Sequence, residues 1–298
     1  MKKCIIILYL LLGNLASLHS QMSHNDLKIA YIRNECFLLT SSTGQKIDTV
    51  NLKTYFGEYT GGFSVYNLGT DSYIQYNIEH CKKRFSPCST FKIPNSLIGL
   101  ETGVIPDTGF IIKYDSVSHP KDAEMLAREP FKYWFQDLSL KRAFKYSCVW
   151  YYQKLARRVG QERMKKYVNL IDYGNNDISS GIDNFWLCGS IEISINEQID
   201  FLKKLYLHKL NGFSDKTINA VKSIMLYETT SDHKLYGNTG TGNCLNNKMI
   251  GWYVGFVETN SGTSIFAMNI IVNNIDDLNN NFRVELTKKV LRDLKIIK

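Results

Sequence analysis

Ser89-Thr90-Phe91-Lys92 places a hydroxyl and an amine three residues apart, the spacing at which both lie on one side of a helical turn. A serine hydroxyl attacks weakly at neutral pH and needs a base beside it. An amine can be that base only when its neutral form is favoured, by burial among apolar groups or by a chemical change at nitrogen. The same spacing recurs at Ser118/Lys121 and Ser231/Lys234, so spacing alone reads equally well as a serine N-cap followed by a surface lysine. The setting singles out Ser89/Lys92. Phe63 to Tyr76 reads as two short strands joined at Leu68-Gly69-Thr70-Asp71, and Ile93 to Thr102 carries apolar residues at helical spacing before Gly103. Ser89 then opens a helix, where unpaired N–H groups favour a developing negative charge. Pro94 falls in the first turns, where few backbone hydrogen bonds are lost.

Four further stretches carry groups that could serve such a nucleophile. Ser147-Cys148-Val149 supplies a second hydroxyl within a helical region, and Tyr173-Gly174-Asn175 is a turn signal with a phenol and an amide. Phe185-Trp186-Leu187 sets an indole N–H in an apolar wall, and Asn238-Thr239-Gly240-Thr241-Gly242 offers hydroxyls and closely approachable backbone. Each has an ordinary structural reading as well: a passenger serine, a plain turn, a core tryptophan.

Apolar patterning shows what must position these groups. Residues 28–76 alternate as strands, and residues 89–171 read mainly as helices. The clearest helix runs from Leu138 to Val159 and is ended by Gly160; another covers 196–209. Strands return after Gly237, at Met249 to Glu258 and Thr263 to Val272, and an amphipathic helix spans Asn281 to Ile297. Strands first, helices in the middle, strands and a helix last predict an α/β (α+β) fold. Both ends of the chain close a sheet lobe, about 21–86 and 200–298, around an inserted helical lobe, about 87–199.

The chain is 298 residues long, 44% hydrophobic and 21% charged, an ordinary globular composition. Lys2 and Lys3 precede the apolar run Ile5 to Leu12, and a small, weakly polar stretch ends at Ser20-Gln21, the layout of a secretory signal peptide cleaved after Ser20. Leu18 is a poor residue at the −3 position. No later stretch is long enough to span a bilayer, and no cysteine stands where a lipid anchor would need one, so no stable membrane anchor is expected. Without residues 1–20, Lys+Arg falls from 36 to 34 against 28 acidic residues, a net +6 with the basic residues scattered, which argues against nucleic-acid binding. Neither Cys-x-x-Cys nor Cys/His ligand spacing occurs, so no metal is expected. Cys88, Cys148 and Cys188 lie in apolar stretches and read as small buried side chains rather than as bridge partners.

Taken together, the motifs resemble the class D (oxacillinase-type) serine β-lactamases. The resemblance is carried by Pro87-Cys88-Ser89-Thr90-Phe91-Lys92-Ile93-Pro94-Asn95-Ser96-Leu97, by Ser147-Cys148-Val149-Trp150, Tyr173-Gly174-Asn175 and Phe185-Trp186-Leu187, and by Gly251-Trp252-Tyr253-Val254-Gly255 and Phe282-Arg283, in matching order from about residue 60 onward. It implies a β-lactamase/penicillin-binding transpeptidase-like fold with a central antiparallel sheet. It implies that Ser89 is the nucleophile and that Lys92 is the general base, working as a carbamate formed with carbon dioxide or bicarbonate and with no other cofactor. Trp186 would donate to that carbamate between the walls Val149 and Leu187, and Ser147 would pass a proton to the leaving lactam nitrogen. The N–H groups of Ser89 and Thr241 would form the oxyanion hole, and Asn238, Thr239, Gly240 and Arg283 would hold the substrate, with Tyr173 nearby. One position departs: the family has lysine where this chain has Asn238, which keeps a donor and loses a charge. The implied activity is that of an exported hydrolase of penicillin-type antibiotics. A penicillin-binding sensor or decoy that acylates without turnover, and a D,D-peptidase, share the chemistry. Monomer and homodimer are both open.

Overall fold

A computed structural model of the protein describes residues 38–40, 46–278 and 281–298. The predicted leader, Cys4 and Cys36 lie outside them. The chain divides at Leu38, and the unit that follows, residues 39–298, holds every candidate residue named above.

Strands β1 (Leu38–Thr40), β2 (Lys46–Thr49), β3 (Thr60–Asn67) and β4 (Ser72–Tyr76) come first, with two single-turn helices, α1 (Lys53–Phe56) and α2 (Ile78–Cys81). A 3₁₀ turn at Cys88–Phe91 leads into α3 (Lys92–Glu101). The central part holds β5 (Ile111–Ile112), α4 (Ala123–Leu126), β6 (Leu138–Ser139), α5 (Leu140–Lys145), α6 (Val149–Val159), α7 (Gln161–Ile171), α8 (Ile195–Tyr206) and α9 (Asp215–Met225). The chain ends with β7 (Leu226–Thr229), β8 (His233–Leu245), β9 (Lys248–Thr259), β10 (Gly262–Val272) and α10 (Phe282–Asp293).

The main sheet has the order β1-β2-β4-β3-β10-β9-β8-β7. It is antiparallel from β4 through β7, but β2 joins β4 in parallel, so the sheet is mixed rather than wholly antiparallel. Period-two alternation sorts its side chains between two cores. Trp252, Val254, Phe256, Ile265 and Ala267 face the core shared with the central helices. Tyr253, Val257, Phe266, Met268 and Ile270 face the core shared with α10 residues Val284, Val290 and Leu291. Both faces are therefore covered, and α8 lies across β10 and β3. Among the described residues, no helix is long and apolar enough to cross a membrane.

One predicted element is divided. The helical pattern from Leu138 to Val159 is broken at Tyr146-Ser147-Cys148, because Ser147 takes a left-handed conformation, φ +53°. Ser139 caps α5 by accepting from the Arg142 N–H, so the stretch contains two helices with separate starts.

Candidate active site

The turn that carries Ser89 is built from apolar packing. Phe91 stacks on Trp186 with centroids 5.6 Å apart and meets Tyr173 and Phe185 edge-on, which fixes the Cys88–Phe91 turn against the central helices. In a 3₁₀ turn, residues i and i+3 eclipse, so Ser89 and Lys92 align more closely than in an α-turn. The Lys92 Nζ donates to Ser89 Oγ at 2.5 Å and lies 3.0 Å from Ser147 Oγ. The left-handed residue that splits the predicted helix is thus the one that delivers the second hydroxyl.

Lys92 is 1% exposed, and its amine lies 5.5 Å from the ring centroid of Tyr152. Burial lowers its pKa to about 7, since an apolar enclosure penalises the ammonium form. The neutral amine is the form to which carbon dioxide can add. Val149, the first residue of α6, and Leu187, next to Trp186, are half-buried; Trp186 itself is 1% exposed.

Strand β8 forms the opposite side of the site. A Cβ on Gly240 would lie 2.8 Å from the Pro87 carbonyl oxygen and 3.2 Å from the Thr90 nitrogen, so only glycine lets the strand come this close to the nucleophile's turn. Asn238, buried at the preceding contact, donates its side-chain amide to the Ser89 carbonyl at 2.9 Å. The resemblance places Asn238 at the substrate; in the structure its amide bonds the Ser89 peptide. Arg283, on the first turn of α10, packs its stem over Gly251, where a Cβ would come within 2.9 Å of Arg283 Cδ. Its Nη1 donates to the Gly240 carbonyl at 2.7 Å and to Thr241 Oγ1, while Nε is buried without a partner. Burial lowers the guanidinium's pKa to about 10. Thr239 is half-buried on the same strand.

Tyr173 is placed in the core. Its hydroxyl accepts from Gln198 Nε2 at 3.1 Å, and the same amide nitrogen donates to Thr90 Oγ1 at 3.0 Å. Burial raises the phenol's pKa, so it stays protonated. Gln198 was missed in the sequence, although a glutamine amid Ile195, Ile199 and Leu202 on the apolar side of α8 is the signal that points to it. Tyr152, which walls the amine, belongs to the motif that begins at Ser147 but was given no role of its own. Cysteine use also needs correction. Cys88 and Cys148 are buried and free as expected, but Cys188 is exposed and bridged to Cys244. The chain turns left-handed at Cys188, φ +60°, which carries its side chain out of the apolar wall toward the end of β8.

A penicillin binding protein transpeptidase domain model matches residues 36–294. Over 221 residues the chain is 41% identical to β-lactamase OXA-48 of Klebsiella pneumoniae, an alignment that covers 74% of this chain and 78% of that one. The chain belongs to the class D β-lactamases. A solved class D β-lactamase from Sebaldella termitidis shares 37% identity at a TM-score of 0.76, covering 85% of this chain and 98% of that one. Similarity extends to the methicillin resistance protein mecR1 of Staphylococcus aureus, 33% identical over 83% of this chain but only 40% of that protein. Class D β-lactamases open the lactam ring, and in this chain the buried Lys92 amine lies between the hydroxyls of Ser89 and Ser147.

Proposed function

We propose that this class D β-lactamase hydrolyses penicillin-type β-lactams through an ester at Ser89 and so confers resistance. The observation that carries the reading is the buried amine of Lys92 held between two serine hydroxyls. Lys92 supplies the base that takes the Ser89 proton as Oγ attacks the lactam carbonyl, and the opening amide nitrogen receives a proton through Ser147. The N–H groups of Ser89 and Thr241 face the oxygen on which charge develops, an arrangement that usually gives a large share of the rate. Carbon dioxide added to the Lys92 nitrogen supplies a carboxylate-type base for attack and for the later entry of water. Arg283 holds the substrate carboxylate with the Thr239 hydroxyl, exchanging its contacts with Gly240 and Thr241 for the ligand's oxygens. Export directed by residues 1–20, with cleavage after Ser20, belongs to the same reading.

Steady-state hydrolysis of a chromogenic cephalosporin, with and without bicarbonate, is the test. Continuing turnover raised by bicarbonate is expected. Ser89→Ala should lower it by at least about a thousandfold, and survival of activity removes Ser89 from the mechanism. The similarity to mecR1 and the lost charge at Asn238 favour a second reading, a protein that acylates and stops. One burst equal to the enzyme concentration, with a stable adduct mass on intact protein, would establish that reading instead.

A further inference from the structure

Three sulfur atoms converge beside the active site and have no part in lactam chemistry. The Sγ atoms of Cys88, Cys188 and Cys244 all lie within 4.8 Å of one another. Cys188 and Cys244 are bridged, and the free thiol of Cys88 stands 3.8 Å from Cys244 Sγ. Gly242 leaves the room for this, since a Cβ there would come within 2.6 Å of Cys88 Sγ, 2.8 Å of Cys244 Sγ and 3.1 Å of Cys188 Sγ. Ser86 ties the Cys88 and Cys188 segments together: its hydroxyl donates to the Trp186 carbonyl at 3.0 Å and accepts the Cys188 N–H at 3.0 Å, while its carbonyl lies 3.6 Å from Cys88 Sγ.

We propose that Cys88, Cys188 and Cys244 form a thiol–disulfide exchange site in which Cys244 is the common partner of two alternative bridges, one to Cys188 and one to Cys88. The step balances within the chain. Cys88 gives up its proton to solvent, and its thiolate attacks Cys244 Sγ. The Cys88–Cys244 bond forms as the Cys188–Cys244 bond breaks, and the electron pair leaves on Cys188, which then takes a proton. No oxidant or reductant is consumed, and the sulfur released is the exposed one, open to thiol-reactive small molecules.

Two features set the resting pairing. Burial raises the Cys88 thiol's pKa to about 11, so little of it is thiolate at neutral pH. The three sulfurs also form a compact triangle, which puts Cys88 beside the bridge rather than along its axis. Attack therefore needs the Cys244 side chain to rotate first. Exchange is accordingly slow unassisted, and a small external thiol that opens the bridge lets Cys244 close on either neighbour. The bridge in place joins the loop after Trp186 to the end of β8. The alternative joins β8 to Cys88, the residue bonded to the nucleophile. Each therefore ties together a different pair of the segments that surround Ser89.

The test is a bridge map of the full-length mature protein. It is equilibrated in reduced and oxidised dithiothreitol at ratios that leave about one bridge per chain, quenched with acid, alkylated under denaturing conditions and digested without reduction. Peptides joining Cys88 to Cys244 are expected in roughly a tenth of molecules or more, with Cys188 alkylated in those same molecules and Cys81 and Cys148 alkylated throughout. Native iodoacetamide labelling of Cys188 without any reductant should be slow in the wild type and at least severalfold slower in Cys88→Ser. A wild-type protein that holds only the Cys188–Cys244 bridge at every ratio overturns the proposal, whatever the variant does. A β-lactamase activity that fails to appear leaves this map unchanged, so the two readings fail separately.

Discussion

Lys92 is the residue on which the site's chemistry turns, and its burial has two opposite consequences. Its pKa falls from 10.5 to about 7, so the catalytic form gains population as pH rises through 7. Activity should therefore climb along an acidic limb centred near pH 7, and added bicarbonate should lift the plateau. A flat profile from pH 5.5 to 8.5 would contradict a buried, titrating amine. For stability, the unfolded chain binds the extra proton between about 7 and 10.5, so folding gains as pH rises through that window. At pH 7 the buried amine costs on the order of a few kcal/mol, partly offset by its hydrogen bonds to two hydroxyls. Lys92→Met should consequently abolish turnover and raise the melting temperature, seen by activity assay and calorimetry on one preparation. Asn238 donates to the carbonyl of Ser89. Asn238→Ala leaves that buried oxygen without its donor and should cost about 1–3 kcal/mol of stability, together with a fall in kcat. Asn238→Lys restores the missing charge and should raise kcat/KM for carboxylate-bearing substrates by up to about tenfold. A lysine variant no better than wild type would show that Arg283 alone satisfies the substrate's charge.

At the scale of elements, the site is the meeting of β8 with a 3₁₀ turn, and the contact is close because Gly240 has no side chain. Gly240→Ala should push the strand off Pro87 and Thr90 by a few tenths of an ångström. That displacement separates the Ser89 and Thr241 N–H groups proposed as oxyanion donors, so kcat should drop by about a hundredfold or more while circular dichroism stays native. Near-normal turnover would show that the strand can shift without harm. This close approach was legible in the letters only as a glycine-flanked threonine pair. The sequence did announce α3, since an apolar run from Ile93 and Gly103 bracket it within two residues, but not the 3₁₀ turn ahead of it that holds Ser89. The break between α5 and α6 was not legible, because left-handed backbone at a serine has no compositional mark. The Cys188–Cys244 bridge was obscured similarly: one partner sits in an apolar stretch, and 56 residues separate the pair. The contact Asn238 makes was not legible, since its partner is a main-chain oxygen that no side-chain pattern encodes.

Across the whole molecule, the expected division into a sheet lobe and an inserted helical lobe has a physical consequence that can be measured. A lobe that folds by itself needs its own core. The central helices do not have one: Leu97 of α3, Leu155 of α6 and Leu202 of α8 belong to the same buried cluster as Trp252, Val254 and Ile265 of the sheet. Trp252 also donates its indole N–H to the Ser86 carbonyl, tying β9 to the segment that leads into the nucleophile's turn. Removing the helices would strip one face of the sheet, and removing the sheet would expose the helices' apolar sides, so neither part survives loss of the other. Thermal unfolding should accordingly be one transition, with far-ultraviolet circular dichroism, weighted to the helices, and tryptophan fluorescence coinciding within about 2 °C. Midpoints more than about 5 °C apart would mean that the helical part holds together after the sheet has melted. The nucleophile's turn would then belong to a separately stable unit, and β8 could detach from it without unfolding the site.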